Sequence, residues 1–186
     1  MALQSRLLFR HGITELMQFS IMKSLPFYVV SGGISEIIEA CFYAIMHNGE
    51  IESEEVMHEY WVNKVKVLSN KFIYEDEKGT VSYQEPIIHI LNKQSFIYEL
   101  NEEIKEFRKN VLIMGDILDD VKMVRESMHE TVLKIGFLND IQKNAHMKEE
   151  FLKTFDIVIT GDGSLHPVNY LLENLFSNLE QELNLE

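Results

Sequence analysis

The sequence predicts an α/β fold in which a mostly parallel sheet has helices on both faces. Short apolar runs with the length of buried strands alternate with segments whose apolar residues recur at helical spacing, which is typical of βαβ units. The 186 residues are 46% hydrophobic and 25% charged, enough apolar material for the core of one soluble globular domain. We find no linker, repeat or low-complexity tract that would divide the chain.

The first half of the chain predicts two helices, a strand and a hairpin. Apolar residues at helical spacing predict a helix over Ile13–Met22. Pro26 then opens a short buried strand, "FYVVS", which ends at Ser31. After "SGG", a second apolar helical face covers Ile34–Ile45. The stretch "VKVLSNKFIYEDEKGTVSY" alternates and turns at Asp76–Gly79, which predicts a β-hairpin.

The second half continues the alternation of strands and helices. In chain order, the predicted elements are a helix over Lys93–Phe107, a strand over Val111–Met114, a helix from about Asp119, a strand over Val132–Phe137, a helix over Lys143–Phe151, a strand over Ile157–Thr160 and a helix from about Pro167. Such sheets bind ligands at the carboxyl ends of their strands. Two predicted strands end there in unusual chemistry, one at Ser31 and one at Asp116.

Charge and cysteine content narrow the classes of partner. The formal charge of −13 argues against a surface for nucleic acid or anionic membrane, since both need clustered Lys and Arg. A small phosphorylated ligand stays compatible, because a metal ion and one or two cations can reverse the field in a cleft. No apolar run approaches the ~20 residues of a membrane span. The single cysteine, Cys41, excludes an internal disulfide, and its spacing predicts a buried small hydrophobe.

Three aspartates crowd behind the strand in "NVLIMGDILDDVKMV". Asp116, Asp119 and Asp120 lie within about one helical turn of each other. One of them could cap a helix, because a carboxylate there accepts backbone N–H bonds. Asp116 and Asp120 can both face the crevice, and Mg²⁺ prefers one or two carboxylates together with waters and phosphate oxygens. We therefore predict a Mg²⁺ site at Asp116 and Asp120, with Asp119 as the cap.

Ser31 and Lys93 are candidates for phosphate binding. Ser31 offers a hydroxyl and, with two glycines before a helix, unblocked backbone N–H groups. Taken alone, it is equally well explained as a helix N-cap with glycines for a tight turn. Lys93 begins a predicted helix, where the dipole disfavours a cation. It is either a solvated surface lysine or a group that neutralises phosphate.

Other conspicuous residues have simpler explanations. The seven histidines show no zinc-binding spacing. Tyr60 and Trp61 are predicted to pack in the core. Asp162, in "TGDGS", is predicted to lie in a turn.

The segments "PFYVVSGGISEIIE", "HILNKQ" and "VLIMGDILDDVKMV", in that order, resemble the haloacid dehalogenase-like phosphatases. More closely, the chain resembles the cytosolic pyrimidine 5′-nucleotidases, the type III family. "VKVLSNKFIYEDEKGTV", "LKIGFLND" and "FDIVITGDGSL" are also similar to that family, so the likeness covers about Ser5 to Leu175. It implies a Rossmann-like core with a β-hairpin and a cytoplasmic protein.

The resemblance assigns roles residue by residue. Ser31 matches the phosphate-binding serine, and Gly32 matches its small neighbour, whose backbone also contacts the substrate. Lys93 matches the lysine that stabilises the phosphate and the covalent intermediate. Asp116 matches the main magnesium-binding aspartate, and Asp120 matches the second acid of the same motif.

The chain departs from the family in three ways. Asp119 stands where relatives usually have glycine, which adds a negative charge near the metal. The family's D-x-D-x-T motif supplies a nucleophile and an acid, but no D-x-D occurs in these 186 residues. Most of the helical cap that reads the nucleobase is also absent. We therefore expect residues 1–186 to be one fragment of the core, with 1–9 a remnant of the returning cap.

Three hypotheses follow for function. The first is a Mg²⁺-dependent 5′-nucleotidase that hydrolyses nucleoside monophosphates such as CMP and UMP through an aspartyl-phosphate, in a chain lacking the nucleophile motif. The second is a non-catalytic isoform or remnant that binds Mg²⁺ and phosphate. The third keeps the enzyme but changes the substrate to 7-methylguanosine monophosphate. None involves nucleic acid polymers or membranes, and the oligomeric state is left open.

Overall fold

The computed structural model describes residues 9–48, 53–75, 79–89, 92–93 and 108–183. Within it the chain forms two compact units. The first unit is the described part of Met1–Val29, Ser35–Val67 and Ser164–Glu186. The second unit is the described part of Val30–Ile34 and Leu68–Gly163. In the described residues, no helix combines the length and the apolar character needed to cross a membrane.

The first unit is mainly helical. Its helices are α1 (Ile13–Met22), α2 (Ser35–Asn48), α3 (Glu54–Lys64) and, far along the chain, the helix His166–Leu183. Buried side chains of the first three helices form one cluster with the start of a strand: Met17, Ile45, Met46, Met57, Tyr60 and Val65. The Tyr60 hydroxyl donates to Leu25 O at 2.7 Å, and Trp61 packs against the cluster, which confirms that both aromatic residues belong to the core.

Helix α3 was not predicted from the sequence. Only Met57 and Tyr60 among its residues are buried, so it has no apolar stripe to show in the periodicity. Its start does carry a local signal, because Ser53 Oγ accepts the Val56 N–H at 3.2 Å and two glutamates follow in the first turn.

The second unit contains the parallel sheet. Strands β5 (Asn110–Gly115), β6 (Thr131–Leu138) and β7 (Ile157–Thr160) lie side by side in that order. Both pairs are parallel, so the carboxyl ends of the strands meet at one edge. Leu138, Phe151 and Phe155 form the buried cluster on this sheet. A Cβ at Gly136 would lie 2.5 Å from the Phe155 ring, so only glycine permits this packing. The predicted parallel sheet is confirmed.

The remaining strands form two small sheets. β1 (Phe27–Ile34) pairs with β2 (Val65–Asn70), and β3 (Phe72–Glu75) pairs with β4 (Thr80–Tyr83) in an antiparallel hairpin. The predicted hairpin is thus correct for its second half. Its first half, Val65–Asn70, is a separate strand.

Several predicted boundaries are corrected. β1 runs through both glycines to Ile34, whereas the predicted strand ended at Ser31. A 3-10 helix, Leu118–Met123, replaces the α-helix expected from Asp119. Cys41 is only partly buried. The predicted helix Lys93–Phe107 lies outside the described residues apart from Lys93.

The helix predicted over Lys143–Phe151 is divided into shorter pieces. They are α4 (Ile141–Asn144), a 3-10 turn (Ala145–Met147) and α5 (Lys148–Thr154). Asn144 ends the first piece, and its side-chain amide donates back to Asn139 O at 2.8 Å. Such local bonds compete with a continuous helix. The last helix, α6 (His166–Leu183), begins one residue before the predicted position.

Candidate active site

Ser31 lies within strand β1 and not at the start of a helix. Its Oγ accepts the N–H of Gly33 at 3.0 Å. Helix α2 begins four residues later, at Ser35, so the interpretation of Ser31 as a helix N-cap is wrong. Ser31 is half-buried, and Gly32 and Gly33 beside it are exposed. A serine and two exposed glycines are therefore presented together.

Asn70 holds the backbone beside Ser31 through its side-chain amide. Its part in the site was not predicted from the sequence. Its Nδ2 donates to Gly32 O and to Ile88 O, both at 2.9 Å. Its Oδ1 accepts the Ile88 N–H at 2.7 Å. The residue is only 7% exposed. The available signal was an asparagine at the end of a strand, where this residue type is depleted.

Hydrogen bonds hold the described residues Ile87–His89 and Asn92–Lys93 together in a turn that carries Lys93. The Asn92 side chain supplies two of them, because its Oδ1 accepts the His89 N–H at 2.7 Å and its Nδ2 donates to Ile87 O at 2.8 Å. The Lys93 N–H donates to His89 O at 3.1 Å. The Lys93 side chain is only 16% exposed, and its Nζ lies 3.3 Å from Asp120 Oδ1. This burial does not fit a solvated surface lysine.

Asp120 is the buried centre of the turn that follows β5. The residue is 5% exposed, and its Oδ2 accepts the N–H groups of Asp116 at 3.0 Å and Ile117 at 3.1 Å. Its other oxygen, Oδ1, faces Lys93. A Cβ at Gly115 would collide with the Asp120 side chain, so the glycine makes room for this carboxylate.

The capping role therefore belongs to Asp120, whereas the sequence assigned it to Asp119. Asp120 accepts the Ile117 N–H at the start of the 3-10 helix. Asp119 instead pairs with Lys122, Oδ1 to Nζ at 2.5 Å, with both side chains about half exposed. Asp119, the residue predicted as the cap, thus lies on the outer face of the helix.

Asp116 follows the last residue of β5, and its side chain is exposed. In the part of the chain that the structure describes, its carboxylate has no hydrogen-bond partner, although its N–H donates to Asp120. An open carboxylate at the carboxyl end of a parallel strand suits a directly bound Mg²⁺. Asp120 has fewer lone pairs left, since Oδ2 already accepts two N–H bonds and Oδ1 one.

The donor set fits Mg²⁺ better than a metal that needs a full protein cage. Across the described ranges, no group of three or more His, Cys, Asp or Glu side chains is placed to hold an ion. Mg²⁺ commonly takes one or two carboxylates and completes its six ligands with waters and phosphate oxygens. The predicted assignment of Asp116 and Asp120 to the metal stays a prediction.

The five predicted residues all lie in the second unit. Hydrogen bonds link them in a continuous path, which runs from Ser31 and Gly32 through Asn70 to Ile88 and then through the turn to Lys93. Lys93 pairs with Asp120, which holds the Asp116 N–H. A hydroxyl, a cation and an open carboxylate are thus parts of one connected structure, which suits a phosphate monoester with a metal ion.

Tyr60, Trp61 and Asp162 are outside this structure. The two aromatic residues belong to the first unit. Asp162 is exposed in the turn after β7, as predicted.

Comparison with known proteins places these features in context. The family model described as pyrimidine 5′-nucleotidase (UMPH-1) matches residues 1–176. A 7-methylguanosine phosphate-specific 5′-nucleotidase A of Xenopus laevis is 31% identical over 173 residues, which are 91% of this chain and 54% of that protein. A putative cytosolic 5′-nucleotidase 3 of Caenorhabditis elegans is 23% identical over 181 residues, 94% of this chain and 44% of the relative.

A solved structure of a 5′-nucleotidase has a similar fold. The crystal structure of cytosolic 5′-nucleotidase IIIB bound to cytidine matches with a TM-score of 0.65 and 24% identity, and the match covers 95% of this chain and 54% of that one. The chain spans about half the length of the curated relatives it matches.

Proposed function

The chain belongs to the pyrimidine 5′-nucleotidase (UMPH-1) family, and on that basis we propose that it serves a Mg²⁺-dependent hydrolysis of pyrimidine nucleoside 5′-monophosphates such as CMP and UMP. The family and its named relatives are 5′-nucleotidases, and the fold is the haloacid dehalogenase-like α/β fold. The reaction would proceed through an aspartyl-phosphate. A cytoplasmic location is part of the proposal, supported by the relative named as a cytosolic enzyme.

The observation that carries the proposal is the hydrogen-bonded path from Ser31 to Asp116. In it, the Ser31 hydroxyl, which is held by the Gly33 N–H, and the backbone of Gly32 would bind the phosphate oxygens. Lys93 would neutralise their charge. Its ammonium has three donors, and in the described residues only Asp120 uses one of them, so two can reach phosphate.

Asp116 and Asp120 would have different roles. Asp116 would hold Mg²⁺ directly, and Asp120 would fix the turn and serve as the second acid. When bound, Mg²⁺ supplies positive charge that offsets both the carboxylate and the phosphate. Without it, the exposed Asp116 carboxylate repels a phosphate dianion.

A second candidate function is binding without turnover. It is favoured by one observation, the absence of any D-x-D sequence in the 186 residues, because the aspartyl-phosphate route needs a nucleophilic aspartate. The same phosphate and metal groups would then hold a nucleotide that is not hydrolysed.

The nucleobase of the substrate could also be 7-methylguanine in place of a pyrimidine. Several relatives are named as specific for 7-methylguanosine phosphate, including the one that is 31% identical. This name favours 7-methylguanosine monophosphate as an alternative substrate. CMP, UMP and 7-methylguanosine monophosphate should therefore be compared in the same assay.

The test uses the purified chain with each nucleotide, with and without Mg²⁺. We expect Mg²⁺ to strengthen nucleotide binding in calorimetry, and Asp116→Asn to remove most of that effect, a loss of at least about tenfold in affinity. Asp119→Asn is the matched control, since it removes the same charge from the neighbouring exposed pair with Lys122.

Phosphate release is measured in the same samples. Release that disappears with Asp116→Asn would favour hydrolysis by this chain, and binding without release would favour the second candidate. Equal nucleotide affinity with and without Mg²⁺, unchanged by Asp116→Asn, would contradict both.

A further inference from the structure

Asn70 uses its side-chain amide to join two segments that are distant in sequence. It is the last residue of β2 and is 7% exposed. Its two amide protons go to Gly32 O and Ile88 O, and its oxygen accepts the Ile88 N–H. Both donors and the acceptor are thus engaged with backbone groups, so the amide acts on the backbone that it holds.

The bond to Gly32 O reaches the serine through a single peptide group. The C=O of Gly32 and the N–H of Gly33 belong to one planar trans unit and point in opposite directions. Asn70 holds the carbonyl end at 2.9 Å, and the N–H end donates to Ser31 Oγ at 3.0 Å. The orientation of this peptide therefore determines where the serine hydroxyl is held.

The two bonds to Ile88 reach the lysine through the following turn. Ile88 is fixed at both its N–H and its C=O. The next residue, His89, accepts the Lys93 N–H at 3.1 Å, and Lys93 then extends its side chain to Asp120. The same amide thus sets the starting point of the turn that carries the cation.

From these contacts we infer that Asn70 is a positioning residue, which fixes the placement of the Ser31 hydroxyl relative to the Lys93 ammonium so that both meet one phosphate group. The ligand in this inference rests on the proposed function. The placement itself rests only on the hydrogen bonds of Asn70.

The substitution Asn70→Asp isolates the effect. It keeps the shape and one acceptor oxygen for Ile88 N–H, but replaces two donors with an oxygen that faces two carbonyls. Asn70→Ala removes all three bonds and serves if the aspartate variant does not fold. The control is Asn144→Asp, because Asn144 also lies in the second unit and also bonds a backbone carbonyl with its Nδ2, at 2.8 Å, yet is outside the path.

Two measurements test the inference. The first is amide hydrogen exchange at Gly33 and Lys93, followed by NMR in the unliganded full chain. The second is calorimetric binding of CMP with Mg²⁺. We expect Asn70→Asp to speed exchange at both amides, and to weaken CMP binding, each by about tenfold or more. The Asn144 control should change neither, even where it lowers overall stability.

The outcomes separate this inference from the proposed function. If the wild-type chain does not bind CMP with Mg²⁺, the proposed function fails, and the exchange data still judge Asn70. Faster exchange at Gly33 and Lys93, limited to the segments that Asn70 bonds and absent from the rest of the second unit, supports its positioning role. If exchange rises uniformly through the second unit, or if CMP affinity is unchanged in both Asn70 variants while the wild type binds, the inference is wrong.

Discussion

The carboxylate of Asp120 combines three contacts in a space that is almost closed to water. It accepts two backbone N–H groups of the turn and faces the largely buried Lys93 ammonium. Burying a carboxylate costs free energy unless it is paired with a cation and hydrogen-bonded, as Asp120 is. Here the neighbours would be equally costly without it, because two N–H groups and a cation would lose their partner together.

Replacing Asp120 by alanine should therefore destabilise the protein by about 2–4 kcal/mol, since two partly buried N–H donors and one largely buried cation lose their partner. The adjacent Asp119→Ala is the control, and should cost less than about 1 kcal/mol because its pair with Lys122 is exposed. Urea unfolding followed by circular dichroism measures both. Equal losses for the two variants would contradict the role given to Asp120.

Tyr60 predicts a loss of stability at high pH. Burial raises the pKa of Tyr60 to about 12, an effect partly offset by a hydrogen bond with Ser20. The pKa in the unfolded chain is about 10, so the unfolded state loses its proton first as pH rises. Stability from this group is complete below about pH 10 and falls between 10 and 12, by up to about 3 kcal/mol.

The measurement is urea unfolding at pH 8 and at pH near 11, with Tyr60→Phe beside the wild type. The phenylalanine variant loses the hydrogen bond to Leu25 O but cannot ionise, so its stability should fall less steeply over this range. If the free energy of unfolding falls equally with pH in the wild type and in Tyr60→Phe, ionisation of Tyr60 is not the cause of the loss.

At the scale of elements, the junction between β5 and the 3-10 helix depends on the absence of one side chain. Gly115 ends the strand, and the Asp120 side chain occupies the space where its Cβ would be. The strand can therefore be followed at once by a turn whose carboxylate folds back beneath it. A larger residue at this position would displace the carboxylate that orders the turn.

We expect Gly115→Ala to lower stability by about 1–3 kcal/mol, because small-to-large changes in a filled space force neighbours to move. Gly32→Ala is the matched comparison, since a Cβ there would lie 3.4 Å from Ile88 O, an ordinary contact. It should change stability by less than about 1 kcal/mol. Thermal or urea unfolding of the two variants checks the contrast, and a Gly32→Ala loss as large as that of Gly115→Ala would be inconsistent with this geometry.

The elements that the sequence predicts well are those with a mostly apolar run. The predicted bounds of β5, β6 and β7 agree with the structure to within one residue at each end, because each strand is mostly apolar and is bounded by a break. Helix α3 was missed since only two of its side chains are buried. The 3-10 helix was taken for an α-helix because the fold-back of Asp120 is a contact with the backbone, which apolar periodicity does not register.

At the scale of the whole molecule, the family motifs predict the candidate residues Ser31, Gly32, Lys93, Asp116 and Asp120, but not the side chain that connects them. Asn70 reaches residues 38 and 18 positions away in sequence, and no periodic pattern encodes such bonds. The sequence does not show for a similar reason that Asp120, and not Asp119, caps the 3-10 helix, since composition alone treats adjacent aspartates as equivalent.

At this scale the net negative charge of the chain also affects phosphate binding. A net charge of −13 disfavours the approach of any phosphate. In the proposed function, the cation at Lys93 and a metal at Asp116 would offset this charge in one small region. The proposed requirement for Mg²⁺ is therefore an electrostatic property of the molecule as much as of one carboxylate.

The single tryptophan, Trp61, gives the chain an intrinsic optical reporter in a known place. It packs against the core of the first unit, whereas every residue of the candidate site lies in the second. Fluorescence from Trp61 will therefore follow the unfolding of the first unit, and circular dichroism will follow both. Curves that separate for one variant will show that the substitution loosens one unit more than the other, and curves that coincide will show that both units unfold together.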